Sequence, residues 1–304
     1  MFQTQRRVLP LVAVVAIFAA ACASPGASGS TAPSTAASVA ASLAPSVALT
    51  PTPIPAPTSL LKAGELSNCV DIEYSPMEYY AENDPNTPIG FDIESYQAVA
   101  KKLGLTAKIV PTAFDGLVPA LTAGRCDIIW SALYVNATRL QVADAVPYFA
   151  TSQGILVAAG TSTQGEIKAE ADLCGKTVAY QSGGLVQERI TAASKACTDA
   201  GKAAIGAQGY KTVAEEYNQI VIGRVDAVWE IDTSMADFMG KNPGKFEVAF
   251  YLPKDNTFGI YYGKGKTDLG EALKAALRAL KADGTLGAIA DRLNLEPRNL
   301  DVIQ

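Results

Sequence analysis

Apolar residues along positions 70–140 occur either in short runs or at a helical spacing. The segments 70–72 and 107–110 are short and rich in β-branched residues, which is typical of strands. Between them, a helical pattern predicts one buried face, and Asp92 is its expected N-cap. The residues of that face are Ile93, Tyr96, Ala100 and Leu103.

A third strand is predicted at 128–130, followed by the loop 131–138 and by Arg139, where the next helix is expected to begin. In open α/β sheets, ligands bind beyond the carboxyl ends of strands, and a helix amino terminus adds N–H donors there. An arginine at this point can bind a carboxylate through two parallel hydrogen bonds. The same pattern also fits any α/β protein with a surface arginine.

The second half of the chain repeats the alternation of strands and helices with short joints. Strands are predicted at 154–158, 177–180, 225–229 and 258–262, and an amphipathic helix at 271–281. A last helix is predicted to carry Leu286, Ile289, Ala290 and Leu293. The pattern predicts an α/β fold of two lobes, each a doubly wound, mostly parallel sheet with helices on both faces. Loops at the strand ends of both lobes imply a ligand in the cleft between them.

Length and charge exclude several classes of function. The chain has 304 residues, enough for two domains, a net charge of −5 and no histidine. A basic surface for nucleic acid is therefore not expected. Missing histidine excludes Ser-His-Asp and Cys-His nucleophiles and His-ligated zinc. We expect no cofactor and no metal.

The amino terminus has the pattern of an export signal. Arg6 and Arg7 precede a short apolar run that ends in small residues before Cys22, similar to a bacterial lipoprotein box, although Ala19 stands where leucine is more usual. This resemblance implies a signal peptide over 1–21 and lipidation of the Cys22 thiol. The alternative is an ordinary secretory peptide with an incidental cysteine.

Residues 22–59 are predicted to be a lipid anchor and a disordered tether. The segment is mostly Ala, Ser, Thr, Pro and Gly and carries no charge before Lys62. Such a composition cannot bury enough apolar surface to offset the entropy lost on ordering.

Four further cysteines suggest two disulfides in an exported protein; they are Cys69, Cys126, Cys174 and Cys197. The first two adjoin strands of one predicted lobe, and the last two flank one strand-helix unit. We therefore favour the pairings 69–126 and 174–197. Free buried thiols are the alternative, and a metal site is disfavoured because the sequence has no CxxC pair.

Five short motifs, in order, resemble family 3 of the solute-binding proteins of bacterial ABC importers, the polar amino-acid binding group. They are 74–77 (YSPM), 90–94 (GFDIE), 115–121 (DGLVPAL), 223–228 (GRVDAV) and 281–286 (KADGTL). Ser95 departs from the second motif, where the family has an apolar residue. The resemblance covers about residues 60–296.

The resemblance implies a type II periplasmic-binding-protein-like fold whose lobes, 60–150 plus 258–304 and 151–257, are joined by two crossings and close over the ligand. It implies an extracytoplasmic, membrane-tethered and monomeric component of an ABC importer. Such a protein binds an amino acid or a related small carboxylate and delivers it to the permease.

In the first lobe, the resemblance assigns Arg139 to the ligand α-carboxylate and the backbone N–H of Ala132 to the ligand. Tyr134 replaces a usual serine or threonine and narrows the pocket. The remaining expected ligand-binding residues of this lobe are Asp71, Tyr74, Phe114 and Ser131. Ordinary packing is the alternative role of the two aromatic residues among them.

In the second lobe the match is looser. Gln181 and Leu185 flank the expected loop, and Gly184 stands where the family has a hydroxyl residue, so only a backbone donor is kept. Either Glu230 or Asp232 is expected to pair with a ligand ammonium, because a buried cation without an anion is costly. A solvated charge at a strand end is the alternative for both.

The resemblance also leaves two other functions open. The same fold hosts dehydratases of cyclic dienyl acids, in which a cleft carboxylate acts as the acid, and Glu230 or Asp232 fits that role. A receptor domain of a sensing system is the third possibility.

Overall fold

The computed structural model describes residues 53–161 and 167–304. The predicted signal peptide, Cys22 and most of the predicted tether lie outside these residues. Among the helices that are described, none has the length and apolar character needed to cross a membrane.

The described residues form strands and helices in alternation. The strands are β1 Glu65–Val70, β2 Tyr79–Ala81, β3 Asp84–Ile89, β4 Thr106–Pro111, β5 Ile128–Ile129, β6 Ala143–Thr151, β7 Gln153–Ala158, β8 Thr177–Gln181, β9 Gly206–Tyr210, β10 Ala227–Ile231, β11 Phe246–Tyr251 and β12 Asn256–Gly263. The helices are α1 Phe91–Lys102, α2 Leu117–Thr122, α3 Ala137–Leu140, α4 Leu185–Asp199, α5 Val213–Val221, α6 Asp232–Lys241, α7 Thr267–Ala282 and α8 Thr285–Arg292.

Two five-stranded sheets define two lobes. The order is β4-β1-β5-β12-β6 in lobe one and β11-β7-β10-β8-β9 in lobe two, while β2 and β3 form a separate hairpin. The chain crosses from lobe one to lobe two at Ser152, between β6 and β7, and returns between β11 and β12. The predicted two-lobe α/β fold is confirmed.

Both sheets are mixed rather than mostly parallel. In lobe one, β1 is parallel to β4 and β5, whereas β12 is antiparallel to β5 and β6. In lobe two, β8 is parallel to β9 and β10, whereas β7 is antiparallel to β10 and β11. The antiparallel pairs within these two sheets all involve β7 or β12, the strands that follow a crossing directly. Without a helix before them, these strands do not need the direction that a right-handed crossover imposes.

Helix α1 buries the predicted face, since Ile93, Tyr96, Ala100 and Leu103 are all buried. The predicted N-cap is wrong. Gly90 occupies that position with φ 115°, where a Cβ would lie 2.4 Å from the backbone oxygen of Met77, so only glycine fits. The Asp92 side chain instead points into the core of lobe one.

Both predicted disulfides are present. Cys69 on β1 is bonded to Cys126, just before β5, with a Cα–Cα distance of 5.7 Å. Cys174 is bonded to Cys197 on α4, with a Cα–Cα distance of 5.5 Å. Each bridge lies within one lobe.

The last residues of the predicted tether lie against lobe one. Pro57 is buried, and the Asp268 carboxylate in the first turn of α7 accepts hydrogen bonds from the backbone N–H groups of Thr58 and Ser59 at 2.7 and 2.9 Å. A carboxylate at a helix amino terminus is favoured by the helix dipole. The folded part of the chain therefore includes residues 57–59.

Candidate ligand-binding cleft

A cavity lies between the two lobes, at the carboxyl ends of β1, β5 and β10. The predicted ligand-binding residues that line it are Asp71, Tyr74, Phe114, Ser131, Ala132, Tyr134, Arg139, Gln181, Gly184, Leu185 and Glu230. Glu78, Val186 and Ile231 also line the cavity and were not predicted. Asp232 does not line it. The roles of these residues toward a ligand remain predictions.

Arg139 lies on α3, where the Asn136 side chain caps the helix by accepting the Arg139 backbone N–H at 2.8 Å. Its guanidinium donates to the backbone oxygen of Tyr134 at 2.9 Å and to that of Gly183, in lobe two, at 3.4 Å. Burial lowers the pKa of Arg139. No carboxylate within the described ranges forms an ion pair with it.

The loop after β5 is held by two buried acids of lobe one. Ala132, with φ 42°, donates its backbone N–H to Asp92 Oδ2 at 2.7 Å. The Ser131 hydroxyl donates to Glu78 Oε1 at 2.9 Å and accepts the backbone N–H of Asp71 at 3.0 Å. The Ala132 N–H expected to face a ligand is thus already bonded, because the left-handed backbone turns it toward Asp92.

Glu78 and Asp92 form a carboxyl pair in lobe one, 1% and 0% exposed. Burial raises the pKa of Glu78 and raises the pKa of Asp92 to about 7. The hydrogen bond that Asp92 accepts from the Tyr148 hydroxyl, 2.6 Å long, lowers the pKa of Asp92, but burial has the larger effect. Burial also raises the pKa of Asp71 to about 7, and the neighbouring Glu73 adds to the shift. This side of the cleft is therefore acidic but readily protonated.

On the lobe-two side, Glu230 ends β10 inside the cavity. Its Oε1 accepts a hydrogen bond from the Tyr74 hydroxyl of lobe one at 2.9 Å and from the Ile231 backbone N–H at 2.7 Å. Burial raises the pKa of Glu230 to about 7. Tyr74 thus bridges the lobes instead of packing on the surface.

Asp232 lies two residues further, at the start of α6, and its carboxylate turns away from the cavity. It accepts hydrogen bonds from the hydroxyl of Thr151 and from the backbone and hydroxyl of Ser152, the latter two at 3.2 and 3.0 Å. Asp232 therefore fastens the first crossing between the lobes, and Glu230 is the acid that faces the cavity.

The loop before α4 closes the cavity from lobe two. Gly183 has φ 85°, which favours glycine, and a Cβ on Gly184 would lie 3.7 Å from the Phe114 ring of lobe one. Gln181 donates from Nε2 to Glu73 of lobe one at 3.4 Å. The two lobes are therefore in contact around the cavity.

The family follows from a comparison of the whole folded chain. A sequence model of the bacterial extracellular solute-binding proteins, family 3, matches residues 66–295. The chain belongs to this family.

Relatives and solved structures agree with this assignment. The chain is similar to the L-cystine-binding protein TcyJ of Escherichia coli (strain K12), with 26% identity over 72% of this chain and 78% of that protein. It is similar in structure to an ancestral arginine-binding protein bound to arginine (TM-score 0.69, 29% identity, covering 76% of this chain and 98% of the other). A third neighbour is an ancestral amino acid-binding protein described as a precursor of cyclohexadienyl dehydratase (TM-score 0.65, 27% identity, 76% and 95% covered).

The cleft of this solute-binding protein carries more carboxyls than cations. Asp71, Glu78 and Glu230 line the cavity together with one cationic side chain, Arg139. Within the described ranges, no group of three or more His, Cys, Asp or Glu side chains is arranged to hold a metal ion. Opposite charges on its walls suit an organic molecule that carries both a carboxylate and a cation.

Proposed function

We propose that this chain is the extracytoplasmic substrate-binding component of an ABC importer, which receives an amino acid or a related small carboxylate and delivers it to the membrane permease. One observation carries the proposal. A single cavity between two lobes is lined by a buried guanidinium, that of Arg139, and by a buried carboxyl, that of Glu230.

In this proposal Arg139 binds the ligand carboxylate and Glu230 binds the ligand ammonium. Both contacts form away from water, where charge-assisted hydrogen bonds are strongest. The aromatic rings of Tyr74, Phe114 and Tyr134 supply apolar walls, while Leu185 and Val186, at the start of α4, line the same cavity.

Calorimetric titration with the twenty common amino acids and L-cystine tests the proposal. We expect at least one to bind, and to raise the melting temperature, because a ligand that binds only the native state stabilises it by RT ln(1 + [L]/Kd). If none of them binds, the amino-acid form of this function is wrong.

We further propose that the protein acts as a monomer, with lobes at 60–150 plus 258–304 and 151–257, and that it is lipidated at Cys22. The support is the small-residue box before Cys22 and the uncharged segment that follows. Cys22→Ser should move the protein from the membrane fraction to the soluble fraction. If the variant stays in the membrane fraction, Cys22 is not the lipid anchor.

We propose binding rather than catalysis, although one neighbour is described as a precursor of a dehydratase. Glu230, whose pKa is about 7 through burial, is the acid that such a reaction would use. Incubation with prephenate or arogenate should give no aromatic product. Turnover that disappears in Glu230→Gln would establish the enzyme instead.

A further inference from the structure

Glu216 is a buried acid that lies behind Glu230. It is on α5, which packs against β10, and it is 0% exposed. No hydrogen-bond donor among the described residues reaches either of its carboxyl oxygens. The polar group that faces it is the carboxyl of Glu230, which in turn lines the ligand cavity.

No cation compensates this pair among the described residues. The other titratable groups beside the pair are the hydroxyls of Tyr74 and Tyr134, on two loops of lobe one, and of Tyr217, on α5. Burial raises the pKa of each of these tyrosines. Neither Glu216 nor Glu230 forms an ion pair with a described lysine or arginine. Two carboxylates in contact without a cation are costly, so the pair must hold at least one proton.

The two acids differ in what else they contact. Glu230 already accepts hydrogen bonds from the Tyr74 hydroxyl and the Ile231 backbone N–H, which stabilise its ionised form. Glu216 has no such donor, so its ionised form has nothing to stabilise it. The proton of a singly protonated pair therefore lies on Glu216, whose O–H points to Glu230.

We propose that Glu216 is a neutral carboxylic acid that donates a hydrogen bond to Glu230, and that Glu230 carries a second proton in the free protein. Binding of a cationic ligand group releases this second proton. The release step rests on the proposed function, whereas the state of Glu216 does not. Glu216 is a positioning residue: it tunes Glu230 without touching the ligand.

The proposal fixes the direction of the pH dependence. A ligand cation and a proton compete for Glu230, whose pKa is raised to about 7 by burial. Affinity should therefore rise by about tenfold between pH 6 and pH 8, with about one proton released per ligand at the acidic end of that range.

Infrared spectroscopy of the ligand-free protein tests Glu216 directly, since protonated and ionised carboxyls absorb at different frequencies. At pH 8, the infrared spectrum of Glu216→Gln should lack one protonated-carboxyl band that the wild-type spectrum contains. Glu215→Gln is the matched control, because Glu215 is exposed on the same helix and glutamine keeps its capping box with Thr212. Loss of an ionised band, or no change, overturns the proposal.

Calorimetry with L-arginine and L-cystine, in buffers of different ionisation enthalpy, counts the protons released. Glu216→Gln keeps an N–H donor and should retain the wild-type midpoint, whereas Glu216→Leu, which has no donor, should move the midpoint to higher pH and weaken binding at pH 7. Proton release of zero in wild type overturns the release step, and equal profiles in both variants overturn the positioning role of Glu216. If neither probe nor any other amino acid binds, the proposed function fails, and the infrared result still decides the state of Glu216.

Discussion

Each lobe holds one buried carboxyl pair beside the cleft, and the surroundings of the two pairs differ. In lobe one, Glu78 and Asp92 accept hydrogen bonds from Ser131, Ala132 and Tyr148 and so hold the loop after β5 in place. In lobe two, Glu230 accepts two such bonds but Glu216 accepts none. Buried acids of similar exposure can thus serve as supports for a loop or as a reservoir for a proton, and the donors around them decide which.

The largest effect is expected from breaking the lobe-one pair. Asp92→Ala leaves the Ala132 N–H and the Tyr148 hydroxyl buried without an acceptor, which should lower the free energy of unfolding by about 2–4 kcal/mol. Denaturant unfolding of the variant measures this. Asp92→Asn keeps one acceptor oxygen and serves as the control, with a smaller loss; equal losses in both variants would show that the hydrogen bonds are not the cause.

Loss of Arg139 is expected to affect the ligand more than the fold. Arg139→Ala removes the partner of a desolvated carboxylate, which corresponds to about 1.5–3 kcal/mol, or about ten- to a few-hundred-fold in Kd. Arg139→Lys should recover part of this, because an ammonium lacks the planar fork. Calorimetry with the bound amino acid compares the three proteins, and equal affinities would remove Arg139 from the site.

Both pairs should make the free protein less stable as the pH rises. The pKa values of Asp92 and Glu230 are raised to about 7 from ordinary values of 3.8 and 4.5, so the native state holds more protons than the unfolded chain between these limits. Stability must then fall with rising pH across that window. Melting temperatures from pH 5 to pH 8 test the sign; a melting temperature that does not fall would mean that the acids are already ionised in the native state.

The smallest effect is expected from Glu216→Leu. No donor loses its partner, and an apolar side chain of similar size replaces a buried carboxyl, so the free energy of unfolding should change by less than about 1 kcal/mol or increase. Chemical denaturation of Glu216→Leu and Asp92→Ala, measured side by side, compares the free energies of unfolding that the two pairs contribute. A loss as large as that of Asp92→Ala would assign Glu216 a supporting role as well.

Local patterns in the sequence predicted the secondary structure that positions the site. Hydrophobic spacing identified the buried face of α1, and the strand-loop-helix pattern before Arg139 predicted its place at the cleft. The partners of Asp92 could not be predicted, because an aspartate near a helix start resembles an N-cap and its acceptor role depends on Ala132, forty residues away.

Glu216 carried a signal that the sequence interpretation did not use. It falls on the same helical face as Val213, Tyr217 and Ile220, which are all buried, so its charge interrupts an apolar stripe. The direction of β12 had no such signal, because whether a returning strand runs parallel or antiparallel depends on the lobe that precedes it. Local periodicity reports burial, whereas it does not report which neighbours a buried group meets.

The placement of the two disulfides separates rigidity from motion. Cys69–Cys126 and Cys174–Cys197 each close a loop within a single lobe, 57 and 23 residues apart in sequence, and neither crosses the cleft. Oxidation of these cysteines therefore strengthens the walls that carry Asp71 and α4, and neither bridge adds a covalent link between the lobes. Chemical reduction should then lower the melting temperature of the protein without changing how readily the two lobes open and close.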